Sequence, residues 1–169
     1  GTVAAFKQIR EKNPDIKLIL LTPQEDVAMA EEAADLVIDA DNISRGYRII
    51  AAAQKMGAKK FVHISFPRHM SIETLALRRA IMEEAAKDLG IEFIAETSQD
   101  PMSDAGIPGA QQFIAENIPN WIEKYGKDTA FFCTNDAQTE PLLRGIASGG
   151  AIFVEQDLPS PIMGYPGAF

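Results

Sequence analysis

Lys60-Phe-Val-His-Ile-Ser65, followed by the turn Phe66-Pro-Arg-His-Met-Ser71 and a long segment with helical spacing from Ile72 to Leu89, decides the reading of the chain. A short apolar run rich in β-branched and aromatic residues is a strand, and apolar residues recurring every three or four positions are a helix. The same alternation extends in both directions. Strands are expected at Ile16 to Thr22, Leu36 to Ala40, Lys60 to Ser65, Ile91 to Thr97, Thr129 to Asn135 and Ala151 to Asp157. Helices are expected at Val3 to Lys12, Asp26 to Ala34, Ser44 to Met56, Ile72 to Leu89, Ala110 to Tyr125 and Gln138 to Ala147. Because a helix separates each strand from the next, the sheet should be mostly parallel, covered on both faces and joined by right-handed crossovers. The fold class is α/β, doubly wound.

Several boundaries have a chemical cause. Ser71 is placed to cap the long helix that follows it, and Asp136 to cap the one after the fifth strand, while Gly90 and Gly126 stand where a left-handed residue ends a helix. Pro119 removes a donor inside the Ala110 to Tyr125 helix, so a kink is expected there. The tail over 158–169 is rich in Pro and Gly and reads as a crossing loop or linker. The opening Gly1-Thr-Val-Ala-Ala-Phe6 shows neither an initiator methionine nor a signal sequence, and the chain reads as part of a longer one.

Composition narrows the function classes. No segment approaches the roughly 18 uninterrupted apolar residues of a membrane span. A net charge of −8 works against nucleic-acid phosphates, so this segment is expected to bind no nucleic acid. The single cysteine, Cys133, lies in an apolar run and excludes an internal disulfide.

In open parallel sheets, ligands bind outside the carboxyl ends of the strands, where helix N-termini also point. Those ends are Thr22-Pro-Gln-Glu25, Asp39-Ala-Asp-Asn42, Ser65-Phe-Pro-Arg-His69, Thr97-Ser-Gln-Asp100, Thr134-Asn-Asp136 and Glu155-Gln-Asp157. Together they offer carboxylates, amides, hydroxyls and an arginine, a set suited to a small polar metabolite, although polar residues also simply end strands. Asn135 is a better ligand contact than Asp136. Arg78 and Arg79 suit either a solvated helix face or a bidentate clamp on a carboxylate or diol. His63, inside an apolar strand, reads as a core residue, whereas His69, next to Arg68 in the following loop, is the better site candidate. The two histidines match no zinc spacing, so neither metal nor cofactor is expected. The Walker phosphate loop, the G-x-G-x-x-G turn and the G-x-S-x-G elbow are missing, which argues against an enzyme. Gly106-Ile-Pro-Gly109 reads as an anion cradle or a turn, and a carboxylate pair among Asp39, Asp41, Glu155 and Asp157 stays open.

The order of these features resembles a known superfamily. Asp41, Gly46 and the alanine-rich helix ending at Gly57 come first, then Phe61-Val-His-Ile-Ser65, Arg78 and Arg79, Gly90-Ile-Glu-Phe93, and Phe131-Phe-Cys-Thr-Asn-Asp136. This resembles type 1 periplasmic binding proteins: sugar-binding proteins and the effector cores of lac-repressor-type regulators. Val62-His-Ile-Ser-Phe-Pro-Arg-His-Met70 and Phe131-Phe-Cys-Thr-Asn-Asp-Ala-Gln-Thr-Glu-Pro141 look like those of a bacterial family of unknown function within it. The resemblance covers essentially the whole chain.

It implies two lobes closing on a ligand, with residues 1–41 as the end of the first lobe, 42–157 as the second, and 158–169 as a crossing segment back toward the first. It places ligand contacts at Arg78 and Asn135, then at Asp157 and Glu155, beside the strand-end candidates Ser65, Arg68 and His69. Ile81-Met82, and the last strand's ending Val154-Glu-Gln-Asp157, depart from the pattern of sugar binders and argue against a sugar ligand. The implied function is a solute-binding protein for uptake or sensing, exported and periplasmic or lipid-anchored, with an ABC-type transporter membrane component as partner. The alternatives are a cytoplasmic regulator core and an α/β enzyme acting on a phosphorylated or carboxylated metabolite.

Overall fold

The computed structural model describes residues 1–23, 25–39 and 41–155. In chain order the elements are α1 (Thr2–Lys12), β1 (Ile19–Leu21), α2 (Val27–Ala33), β2 (Leu36–Ile38), α3 (Asn42–Lys55), β3 (Lys60–Ser65), α4 (Pro67–Met70), α5 (Glu73–Asp88), β4 (Glu92–Thr97), α6 (Gly106–Tyr125), β5 (Thr129–Cys133), a 3-10 turn (Asp136–Gln138), α7 (Thr139–Gly149) and β6 (Ile152–Phe153). All strand pairs are parallel, in one sheet ordered β4-β3-β5-β6 and a separate pair, β1-β2.

Strand side chains alternate between the faces of a sheet, and in β3 and β5 both sets are apolar. Phe61 and Phe132 enter one core with Ile49, Ile50 and Ala53 of α3 and Met82, Ala85 and Ala86 of α5. Val62, Ile64, Phe131 and Cys133 enter the other, against Ile114, Ile118 and Trp121 of α6 and Leu142 and Ile146 of α7. Double coverage is why these strands read as continuous apolar runs rather than alternating ones. Burying a side chain such as Phe131 or Ile118 contributes about 1.5–3 kcal/mol each. Two glycines set how closely the helices pack. A Cβ on Gly145 of α7 would lie 2.1 Å from Cγ2 of Ile118, and one on Gly46 of α3 would lie 3.0 Å from the Arg78 carbonyl oxygen.

The β1-β2 pair is covered on one face only. Leu20 packs with Val3, Ala30 and Ala33, and Phe6 and Val37 border this small core. The residues between them, Ile19, Leu21, Leu36 and Ile38, are 49–60% exposed. Asp35 ties this unit together by accepting hydrogen bonds from Arg10 Nη2 at 2.6 Å and from the Leu18 N–H at 2.8 Å. The Arg10 bond, followed by the Leu18 amide, holds the Asp35 carboxyl down at about 2.

Some local expectations are corrected. Ser71 does not cap α5: its hydroxyl donates to the Arg68 carbonyl, and it closes the unforeseen single turn α4, made possible by Pro67 at its first position. The cap after β5 is Asn135, not Asp136, and its Oδ1 accepts the Ala137 N–H at 3.0 Å. Helix α6 runs unbroken through Pro119 and starts four residues early, so Gly106-Ile-Pro-Gly109 forms its first turn. Gly90 and Gly126 both take the positive φ expected of them. Asp157 and the crossing segment 158–169 lie outside the described residues.

Candidate functional site

From β3 the chain moves outward to β4 on one side, then crosses back to β5 on the other. Strand order therefore reverses between β3 and β5, and at such a switch point a crevice opens beyond the carboxyl ends. Ser65 ends β3, and Thr134 follows β5, its N–H donating to the Ile64 carbonyl at 3.1 Å.

These two residues start a buried polar network. The Ser65 and Thr134 hydroxyls share a hydrogen bond of 2.8 Å, and His69 Nδ1 lies 3.0 Å from the same Thr134 oxygen. The His69 ring rests on Phe66 with centroids 4.2 Å apart, which fixes the imidazole's orientation. Behind them the Ser65 carbonyl accepts from both the Ser98 N–H (2.7 Å) and the Ser98 hydroxyl (3.2 Å). Gln138, fully buried, donates from Nε2 to Ser98 Oγ at 2.8 Å and to the Gln99 carbonyl at 3.1 Å. Loops after three strands are thus locked together, and each hydrogen bond contributes a net ~1 kcal/mol. Polar groups held this way recognise a ligand without having to be ordered first.

The expected contacts separate into groups. Ser65, His69 and Asn135 come together at the switch point. Asn135 is half-buried; its oxygen serves the cap, and its Nδ2 donates to no described residue, leaving N–H groups for a ligand. Arg68 does not offer a free charge. Its Nε and Nη2 hold the two oxygens of Asp100 at 2.8 and 2.9 Å, and this pairing, ahead of the Met102 amide, keeps the Asp100 carboxyl at about 2. Glu155 is likewise engaged: its Oε1 accepts from Arg45 Nε at 2.9 Å and Nη2 at 2.8 Å. Asp41 caps α3 by accepting the Ser44 N–H. Arg78 is on no solvated face; it is 1% exposed, with its guanidinium 5.4 Å from the Phe132 ring centroid. His63 is buried between the Phe93 and Phe132 rings, as its strand position implies.

Sequence reasoning missed Thr134 as the hub, Gln138 as the clamp, and both arginine pairs. Thr134 and Asp100 stood among the strand ends, but partners 32 to 110 residues apart have no local signature.

A larger cavity, about 640 Å3, lies between α6 and α7, lined by Ile118, Pro119, Ile122, Gly145 and Gly149. Its walls are mostly apolar, with Glu123, Lys127, Arg144 and Ser148 also in the lining, and it lies away from the β3/β5 switch point. Among the described residues, no group of three or more His, Cys, Asp or Glu is arranged to hold a metal ion. None of their helices is long and apolar enough to cross a membrane.

Parallel sheets, the larger wound on both faces with a polar cluster at its switch point, define a ligand-binding fold of the type 1 periplasmic binding protein class, and solved structures agree. A chain from Clostridium difficile 630, described as a "Putative transcriptional regulator", superposes with a TM-score of 0.79 at 27% identity over 99% of this chain and 47% of its own. An ABC transporter solute binding protein from Agrobacterium vitis with bound allitol gives 0.56 at 12% identity, over 89% of this chain and 59% of its own. A LacI family transcriptional regulator from Bifidobacterium animalis gives 0.56 at 16% identity, over 85% and 47%. Within this class the chain belongs to the family described as "Protein of unknown function (DUF3798)", whose model matches residues 1–169. An "Uncharacterized protein" of Treponema pallidum (strain Nichols) is 40% identical over 154 residues, 91% of this chain and 71% of that protein. The chain thus spans about half of the solved Clostridium difficile chain.

Proposed function

We propose that this chain supplies one wall of a clamp that binds a small polar metabolite, as a solute-binding protein for uptake or sensing, and that it performs no catalysis. The observation that carries this reading is the Ser65–Thr134–His69 cluster at the β3/β5 switch point, held by Gln138 and flanked by the open amide of Asn135. On this reading the protein is exported and works with an ABC-type transporter membrane component, and the likeness in fold to solute-binding proteins supports it. Engagement of Arg68 by Asp100 and of Glu155 by Arg45 weighs against acid–base chemistry there.

A thermal-shift screen of the full-length protein against polar metabolites tests the reading. A true ligand at about 100 times its dissociation constant stabilises by about 2.7 kcal/mol. Asn135→Ala should weaken binding about tenfold, the effect of losing one well-placed hydrogen bond. If Asn135→Ala and Thr134→Val both keep wild-type affinity, the site lies elsewhere. The Clostridium difficile likeness favours a second reading, the effector-binding core of a regulator. A DNA-binding segment in the full-length gene would select it; an export signal would select the first.

A further inference from the structure

A second, smaller cavity of about 180 Å3 opens at the carboxyl ends of β3 and β4, beside α4 and Arg79 in the second turn of α5, with Glu96 also in its lining. Register places His63 beside Ala95 and Ser65 beside Thr97, so these four share one face of the sheet and form its floor. Met70 and Arg79 border it from the helices above.

Arg79 is the unusual member. Arg45 and Arg68 are paired with carboxylates, and Arg78 lies against Phe132. Arg79 is half-buried at the cavity and makes no hydrogen bond or ion pair with any described residue. The Glu96 carboxylate does not neutralise it: it accepts from the Tyr125 hydroxyl of α6 and lies 3.7 Å from Lys124. A partly desolvated guanidinium beside a concave space favours an anion, and its planar fork matches a carboxylate. The Thr97 hydroxyl, without a described partner, and the Ser65 hydroxyl supply further hydrogen bonds. One cation balances one negative charge; a dianion would leave an uncompensated charge in a chain of net −8. The space admits a carboxylate and a short carbon stem, with Met70 and Ala95 as apolar wall.

We propose that Arg79, with Ser65 and Thr97, forms a subsite for the monocarboxylate group of the bound metabolite. This deepens the function proposed above and rests on it, because Ser65 belongs to both sites. The neutral hydroxyl and amide groups at the switch point then hold the rest of the molecule.

The test is calorimetric titration of the full-length protein with acetate and propionate, against acetamide and propionamide, at constant ionic strength. The carboxylates should bind at least about tenfold more tightly than their amides, the scale of a charge-assisted bidentate contact. Arg79→Gln should erase that preference and Arg79→Lys should keep part of it, while Arg48→Gln, on the exposed face of α3, leaves it intact. Unchanged circular dichroism shows that the variants fold. Equal affinity for acid and amide, or a preference that survives Arg79→Gln, overturns the subsite. A neutral polar metabolite whose binding is lost in Asn135→Ala but untouched in Arg79→Gln also overturns it and leaves the wider reading standing. If neither the four probes nor any polar metabolite binds, both fall.

Discussion

β3 and β5 send alternate side chains into two separate cores, whereas β1 and β2 fill one small core and leave Ile19, Leu21, Leu36 and Ile38 about half exposed. Both regions follow the same strand–helix rhythm, so the difference lies in coverage. The four-stranded sheet is sandwiched by α3 and α5 on one face and by α6 and α7 on the other, and its strand ends carry a buried, interlocked polar network. A binding site needs such support, because hydroxyls and imidazoles hold their directions only when the backbone beneath them is pinned. Exposed apolar surface like that of the β1-β2 pair is instead the mark of an interface.

The largest effect expected from this comparison concerns the cores. Trp121 is the single tryptophan and lies in the α6/α7-side core, so its fluorescence reports on that unit. Phe131→Ala should lower the stability read at Trp121 by about 3–5 kcal/mol, the usual range for a large aromatic removed from a core. Leu20→Ala, in the small core of the other unit, should barely move that transition. If Leu20→Ala shifts the Trp121 midpoint as far as Phe131→Ala does, the two regions unfold as one and the comparison breaks.

Helix packing comes next. Gly145→Ala places a methyl against Ile118 and should cost about 1–3 kcal/mol in the same assay. A neutral result would mean that α6 and α7 slide apart easily. At the polar network, Thr134→Val keeps the shape but deprives Ser65 and His69 of their shared partner, at a cost of about 1–3 kcal/mol. Ligand affinity should fall with it.

The smallest effect is on acid stability. Asp100 sits at about 2 instead of its ordinary 3.8, so the folded state gains from its charge above pH 3.8 and loses that gain as pH falls toward 2. Asp35 behaves the same way in the other region. Arg68→Gln removes the main cause of the Asp100 depression, so the Trp121-reported stability should fall less steeply between about pH 4 and pH 2 than in the wild type. Equal slopes would show that the pair is not maintained in solution.

The doubly wound fold was legible because Phe61 to Ile64 and Thr129 to Cys133 are apolar on both faces, as strands covered by helices on both sides must be. Strand ends were legible as places: Ser65, His69, Thr134 and Asn135 all lie in segments that directly follow an apolar run. Their roles were not. Whether Asn135 or Asp136 caps a turn depends on where β5 ends, which is at Cys133 and not two residues later at Asn135. Whether Arg68 and Glu155 are available to a ligand depends on Asp100 and Arg45, which only the folded chain brings near. Arg78 and Arg79 show the limit best: adjacent in sequence, they point to different surroundings, one over Phe132 and one at an open cavity.

The central claim, that a small polar ligand is held at the β3/β5 switch point, is tested most directly by mapping amide chemical shifts of the full-length protein with a metabolite that raises its melting temperature. The largest changes are expected within residues 65–69 and 134–138. Changes concentrated instead around Ile118, Ile122, Gly145 and Gly149, in the apolar groove between α6 and α7, would contradict the claim.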